Sequence, residues 1–560
     1  MLVDTAMYDA VNAASGMQFQ AANYAGGGVQ GANASAAALQ AAVTVMNNLY
    51  INPSTSLYQQ FVGQTVTTPS VLATYPGLSA YSSGLVGPTT NQMAAVASDV
   101  TTLQNELNTI NAGLDGTTAS VSASLGNTTA AAAIAVNNAS GSQAAMLATL
   151  TPYANPNSGA GAYVPPSGRP ALQPTWGGVA PTGISSAQLN TIVAAVPGQQ
   201  SLTSQAYALE VLQTECEGAS SNISSIEATC QANGFAPEDA AHATAALFWN
   251  DPGTTAQPPG HWVQIADNIA ATQDLNLLQH ARADALVGIA LNDAGIAAWA
   301  VKFDNADSNA TPSWRPITAI TYDASQANCG DWNADFTTCL SSWSSLIATP
   351  PHPDYLAGHP AFSGAAALAL DAALGTDNVT FSSSSQNYCN GGSSTFDADG
   401  NVIGCGSFTL AGAGCAGGGT GTYDSDGNLI GCTLDGAAES ITGGGCNNAG
   451  SQPVLNNDGT VNGLYNASPL ICSIGETFSS IQEASSGDLG AEFSRVVGGI
   501  HTPQAVTDAL ALGDSVGTFV GSQDLIPEPP MAPVMAGAVM VTLGLLQRRR
   551  KARRDVAPSL

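Results

Sequence analysis

Ile265 to Phe303 is an apolar stretch of helical patterning far longer than a strand, and it is the longest of a series. Asn33 to Tyr50, Thr128 to Val136, Gln205 to Gln213 and Pro237 to Phe248 carry the same Ala/Leu/Val-rich texture, each broken off by Gly, Pro or Asn clusters. Alternating strand patterns are scarce before about Gly375, so this part reads as mostly α. With 560 residues, 44% of them hydrophobic, the chain can bury a large core and is not a disordered segment.

The texture shifts define five stretches. Residues 1–151 form an N-terminal helical group. Residues 152–181, with Pro165, Pro166, Pro170, Pro174 and Trp176-Gly177-Gly178, read as a long ordered connection. Residues 182–377 and 473–522 make a second helical bundle. Between them, residues 378–472 are rich in Gly, Ser, Asn and Cys. There Phe396-Asp-Ala-Asp-Gly-Asn-Val-Ile-Gly-Cys405 recurs as Tyr423-Asp-Ser-Asp-Gly-Asn-Leu-Ile-Gly-Cys432, and Asn457-Asp-Gly459 is a degraded third copy. Asp-Gly between apolar residues signals a hairpin. The same words resemble the start of a calcium loop, but the closing acidic residue is missing, so disulfide-pinned hairpins are the expectation and bound calcium the alternative.

Charge narrows the partners. Eleven Lys and Arg face 40 Asp and Glu, a net charge of -29 that repels phosphate backbones, so nucleic acid is not expected as a partner. Six of the cations stand between Arg548 and Arg554, which leaves Arg169, Arg282, Lys302, Arg315 and Arg495 for the rest of the chain.

Ten cysteines without a Cys-x-x-Cys pair suit disulfides in an oxidising compartment better than zinc. Ile526-Pro-Glu-Pro529, the apolar run 531–546 and the basic cluster from Arg548 form a tail whose transmembrane segment would leave the body outside by the positive-inside rule. The tail over 523–560 resembles the PEP-CTERM sorting signal of Gram-negative surface proteins. That resemblance implies an exported, cell-surface or extracellular body, a transient anchor and a membrane sorting protease as partner. The first residues read as an amphipathic helix already under way, so a signal peptide is expected upstream of them.

Three short segments gather three of the five body cations and three of the six histidines. They are Trp299-Ala-Val-Lys302 continuing to Trp314-Arg315-Pro316, His352-Pro-Asp-Tyr-Leu-Ala-Gly358-His359, and Ser494-Arg495-Val-Val-Gly-Gly-Ile-His501. A tetrahedral oxyanion needs such a set: cations for its oxygens, a backbone amide exposed at Gly, and imidazoles for an axial bond and a proton transfer.

These segments resemble the vanadium-dependent haloperoxidases and the phosphatidic-acid-phosphatase type 2 superfamily that contains them. The resemblance extends to Ala6 through Ala13, Pro174 through Pro181, Phe248-Trp249, Pro258-Pro-Gly-His-Trp262 and Asn292-Asp-Ala294. It implies a helical-bundle haloperoxidase/acid-phosphatase fold and vanadate as cofactor, with hydrogen peroxide and halide as substrates. By position, Lys302, Arg315 and Arg495 would hold the vanadate oxygens and Gly358 would offer its N–H. His501 would be the axial vanadium ligand, and His359 the acid/base, assisted by Lys302. His352 matches the halide-proximal place where chloride-oxidising members carry Phe and bromoperoxidases His, which points to bromide or iodide.

The chain departs from the family pattern at three places. Lys302 stands thirteen residues before Arg315 instead of seven, so either the stretch from Asp304 to Ser313 bulges outward as a solvent-facing loop or Lys302 is not the ligand. Ala357 replaces a Ser whose hydroxyl usually bonds an oxyanion oxygen. Ala505 stands where many members carry an Asp, which leaves Asp508 or the backbone to orient His501. Two other functions fit the same residues. One is phosphomonoester hydrolysis through a phospho-histidine at His501; the other is a non-catalytic surface or matrix protein with a weakened pocket. Outside these segments, Arg282, His242 and His261 read as structural.

Overall fold

The computed structural model describes residues 1–387 and 472–522, apart from 66, 81–87, 89, 156–158, 166–169, 221–222, 237–239, 252–255, 304–311, 325–339 and 341, with only short strands between 388 and 471. The architecture is mostly α. Helices α1 (Leu2–Ala14), α2 (Ala34–Met46), α3 (Thr90–Ala112) and α4 (Gly116–Ala139) form an N-terminal group. Helices α5 (Gln205–Glu217), α6 (Ala240–Phe248), α7 (Gln257–Thr272), α8 (Leu277–Phe303), α9 (Pro316–Ala324), α10 (Gly358–Leu374), α11 (Ser494–Val497) and α12 (Pro503–Ser522) follow.

The long apolar stretch of the sequence divides into α7 and α8. Of the 27 residues of α8, all but Leu277, Gln279 and Asn292 are buried, so this helix is apolar all round because it has no solvent face. Both α4 and α8 are long and apolar enough to cross a membrane, but α8 spends that hydropathy inside the core. Around it pack α1, α10 and α12 through Leu286, Ile289, Ile296, Ala361, Ala365, Leu512 and Val516. Small residues set the spacing of α10 and α12: a Cβ on Gly513 would lie 2.2 Å from the carbonyl oxygen of Ala361, and one on Gly517 2.7 Å from that of Ala365. A second apolar cluster joins Phe248, Trp249, Trp262, Phe381 and Phe478.

Several motif residues prove to be anchors of the backbone. The Asp9 carboxylate accepts from the N–H groups of Ala22, Asn23 and Tyr24 at 2.6–2.9 Å, and Asp293 accepts from Thr182, Gly183 and Ile184 at 2.7–2.9 Å. Each carboxylate thus compensates its burial with three amide donors and fixes a loop against α1 or α8. The Pro-rich connection backs the region where the motifs meet. Tyr163 N–H donates to Pro312, Leu172 N–H to Pro351, and the Trp299 indole to the Leu172 carbonyl. Arg169 lies outside the described residues.

The Gly/Cys-rich segment opens and closes on one antiparallel pair, Phe381–Asn387 against Cys472–Phe478. Within it Ser394–Phe396 pairs with Val402–Cys405, Thr420–Tyr423 with Leu429–Leu434, and Ser451–Leu455 with Val461–Asn466, so a hairpin flanks each Asp-Gly word. The Asp-x-Asp-Gly-Asn turns themselves, where a calcium loop would sit, lie outside the described residues, as does the tail over 523–560. Cys216 and Cys230 form a disulfide beside Tyr207, Trp314 and Trp343.

Candidate functional site

Lys302 closes the last turn of α8, and its ammonium is fully buried. It donates to the carbonyls of Pro353 at 2.7 Å and Asp354 at 3.3 Å and stands 5.7 Å over the Trp299 ring. Arg315 immediately precedes α9, whose first turn bonds back to its carbonyl. Its guanidinium reaches the same strip of backbone: Nε donates to His352 O at 2.6 Å, and Nη2 to Pro350 O at 3.3 Å. The lysine therefore remains beside the arginine despite the unusual spacing. Most of the intervening stretch, residues 304–311, lies outside the described residues.

His501 follows the turn Gly498-Gly499, where Gly499 adopts φ +71 and its missing Cβ leaves room for the Gly218 carbonyl. The buried imidazole is held at both nitrogens. Nδ1 lies 2.7 Å from Asp354 Oδ1, and Nε2 2.9 Å from Arg315 Nη1. Thr502 also donates to Asp354, through its hydroxyl at 2.9 Å. The sequence-based expectation that Asp508 orients His501 is corrected here. Asp508 instead accepts from the Tyr355 hydroxyl at 2.7 Å and the Gln504 amide at 2.9 Å, and Asp354 takes the place at Nδ1.

Arg495, on the four-residue α11, is fully buried; it donates to Ala246 O at 3.1 Å and to the Ser494 hydroxyl, and its Nη1 lies 3.4 Å from His359 Nε2. Gly358 and His359 are the first residues of α10, and the preceding Ala357 makes no side-chain cap. A Cβ on Gly358 would meet the Trp299 ring at 3.4 Å, an ordinary van der Waals distance, so the helix start lies beside that indole. His352 packs tilted by 50° against Trp299, with ring centroids 5.2 Å apart, and has Nδ1 3.0 Å from Arg315 Nη2. All seven residues singled out by the motifs thus lie in one connected network.

The electrostatics are those of crowded, desolvated cations. Burial, and then repulsion from Arg315, pulls Lys302 well below the ordinary lysine range. Burial brings Arg315 down to about 10 and Arg495 to about 9, the latter also repelled by Arg315. His352, His359 and His501 are all held well below the usual imidazole value, first by burial and then by neighbouring cations. Asp354 is pushed up to about 6 by burial against the pull of Arg315 and Lys302.

Residues 282–400 match the family described as the VCPO second helical-bundle domain, a stretch that contains Lys302, Arg315, His352, Gly358 and His359. The architecture matches a bacterial vanadium-dependent iodoperoxidase with a TM-score of 0.53 at 17% identity, covering 93% of this chain and 88% of that one. The chain shares the helical-bundle fold of this protein. A holo-type bacterial vanadium-dependent chloroperoxidase matches with a TM-score of 0.50 at 13% identity, over 93% of this chain and 89% of that one. The vanadium chloroperoxidase of Curvularia inaequalis is 28% identical over 130 residues, 21% of this chain and 20% of the relative's length.

The donor set fits the vanadate of this fold. Three mutually repelling cations, an uncapped helix start and one imidazole nitrogen facing a guanidinium form a place where an oxyanion relieves repulsion. Asp354 was not among the residues the motifs singled out. Its signal was its position, two residues after His352, but acidic residues are the chain's commonest charges and one more carried no contrast.

Proposed function

We propose that the chain is a vanadate-dependent haloperoxidase that oxidises halide with hydrogen peroxide, giving a hypohalous equivalent and water. The observation that carries this reading is that buried Lys302 and Arg315 bond neighbouring carbonyls of the 352–354 segment while Arg315 Nη1 stands 2.9 Å from Nε2 of buried His501. Bound there, vanadate would act as a Lewis acid that polarises peroxide. Lys302, Arg315 and Arg495 would hold its oxygens, the start of α10 at Gly358 would offer its amide, and His501 would supply Nε2 as the ligand to the metal. His359, kept neutral by burial and by Arg495, takes up and returns a proton at Nε2. His352 lines the halide side, where an imidazole in place of Phe supports bromide or iodide. The sorting-type tail supports an exported body released from a transient membrane anchor by a sorting protease.

The test is bromide oxidation by metal-free protein with peroxide, with and without added vanadate, beside hydrolysis of a phosphate monoester. Vanadate-dependent oxidation is expected. Ester hydrolysis without halide oxidation would move the chemistry to a phospho-histidine at His501, and neither activity would leave a surface protein with an oxyanion pocket.

A further inference from the structure

The His501–Asp354 contact does more than close a hydrogen bond. Arg315 Nη1 lies 2.9 Å from His501 Nε2 and 3.4 Å from Nδ1 and so does not choose between them; a carboxylate can only accept, and the contact of Asp354 with Nδ1 assigns the imidazole proton to that nitrogen and leaves Nε2 its lone pair. The proton then sits on Nδ1 and is donated to Asp354 Oδ1 at 2.7 Å. Asp354 is itself fixed by the Thr502 amide and hydroxyl and is completely buried. The segment that delivers it is clamped from the other side, where Lys302 bonds the carbonyls of Pro353 and Asp354 and Arg315 that of His352. We propose that Asp354 is the positioning residue of the vanadate site: it locks His501 in the Nδ1–H tautomer with Nε2 bare and aimed at the anion. The carboxylate that might have followed His501 on α12 is replaced by Ala505, and the α8–α10 segment supplies one instead.

Positioning and charge balance predict opposite signs. Asp354 contributes negative charge beside two cations, so its removal alone favours an incoming anion; loss of orientation opposes one. The proposal rests on the vanadate reading, but its first measurement does not. In full-length, vanadate-free protein labelled with ¹⁵N-histidine, His501, identified by the resonances lost in His501→Gln, should show a protonated Nδ1 and a bare Nε2. A protonated Nε2 in the wild type would overturn the proposal. In the second measurement, vanadate titration by ⁵¹V NMR, Asp354→Ala should weaken binding roughly 10–100-fold, the usual effect of removing the carboxylate that accepts from a ligating histidine's other nitrogen. Asp354→Asn, whose amide oxygen can still accept from Nδ1, should keep the tautomer and bind within about threefold of wild type. Unchanged or tighter binding by a folded Asp354→Ala, or loss of the tautomer in Asp354→Asn, would overturn it. If Asp354→Ala does not fold, the wild-type and Asn spectra decide. Wild-type protein with the expected tautomer but no vanadate affinity would remove the cofactor reading and leave the assignment of Asp354 standing.

Discussion

The backbone N–H of Ala357 donates to the carbonyl of Ala505 at 2.8 Å, so the two alanines that depart from the family pattern touch each other across the start of α10. Both are fully buried. Because Ala357 has no side-chain acceptor, α10 begins without a side-chain cap. Ala357→Ser should therefore supply a cap worth about 1 kcal/mol and one further hydroxyl near the anion. Thermal melts and vanadate titration should show a more stable, tighter-binding variant; a destabilised one would mean that the Ala505 contact leaves the hydroxyl no room.

Lys302 tests the unusual spacing. Its ammonium bonds the 353–354 backbone beside Arg315, so Lys302→Ala should weaken vanadate binding by roughly 10–100-fold, the value of a hydrogen bond to a charged group. Lys302→Arg should restore only part of this, because a planar fork directs its donors differently from a compact ammonium. Unchanged bromide oxidation in Lys302→Ala would remove the lysine from the site.

His359 should fail differently from a ligand. It contacts Arg495 and starts α10, but Nε2 of His501 faces the other arginine. His359→Ala should retain vanadate within a few-fold while turnover falls by roughly 10²–10⁴, the usual contribution of a positioned acid/base. Parallel binding and steady-state measurements separate the two effects.

The pocket's acidic surroundings predict a pH effect on stability. Glu210, on α5, is pushed up to about 7 by burial and then by repulsion from Asp354. Its folded value lies above its unfolded one, so the native state binds more protons over that interval. The resulting stabilisation is complete below the ordinary glutamate range and is lost as pH rises through about 7. The buried histidines, held low, act in the opposite sense as pH falls through their ordinary value. The comparison with Glu210→Gln isolates the glutamate: the melting temperature of wild type minus variant should decline from pH 4.5 to 7.5, about the interval between the two Glu210 values. A flat difference would contradict the assignment.

Much of the site was legible because cations are scarce in this chain. Against that background Lys302, Arg315 and Arg495 stand out, and Gly358-His359 and Gly-Gly-Ile-His501 add the turn and imidazole chemistry around them. The helical bundle was legible for a similar reason: α8 is predominantly apolar over 27 residues, a pattern carried by a core helix or a membrane span and never by a strand. Asp354 and Asp508 could not be told apart in sequence. Asp508 follows His501 on the same chain segment, and only the fold, which brings Asp354 Oδ1 to 2.7 Å from Nδ1, shows which carboxylate reaches the imidazole. Nor could the motif residues Asp9 and Asp293 be recognised as loop anchors, since their partners are backbone amides that sequence does not distinguish.

The most direct test of the account is a vanadate titration of wild type and His501→Ala followed by ⁵¹V NMR. The wild type should bind with a single shifted resonance, and the alanine variant should show only free vanadate, because the bond to Nε2 is gone while Lys302, Arg315 and Arg495 remain. Equal affinity in the two proteins would contradict the assignment of His501 as the axial ligand and, with it, the reading of this pocket as a vanadium site.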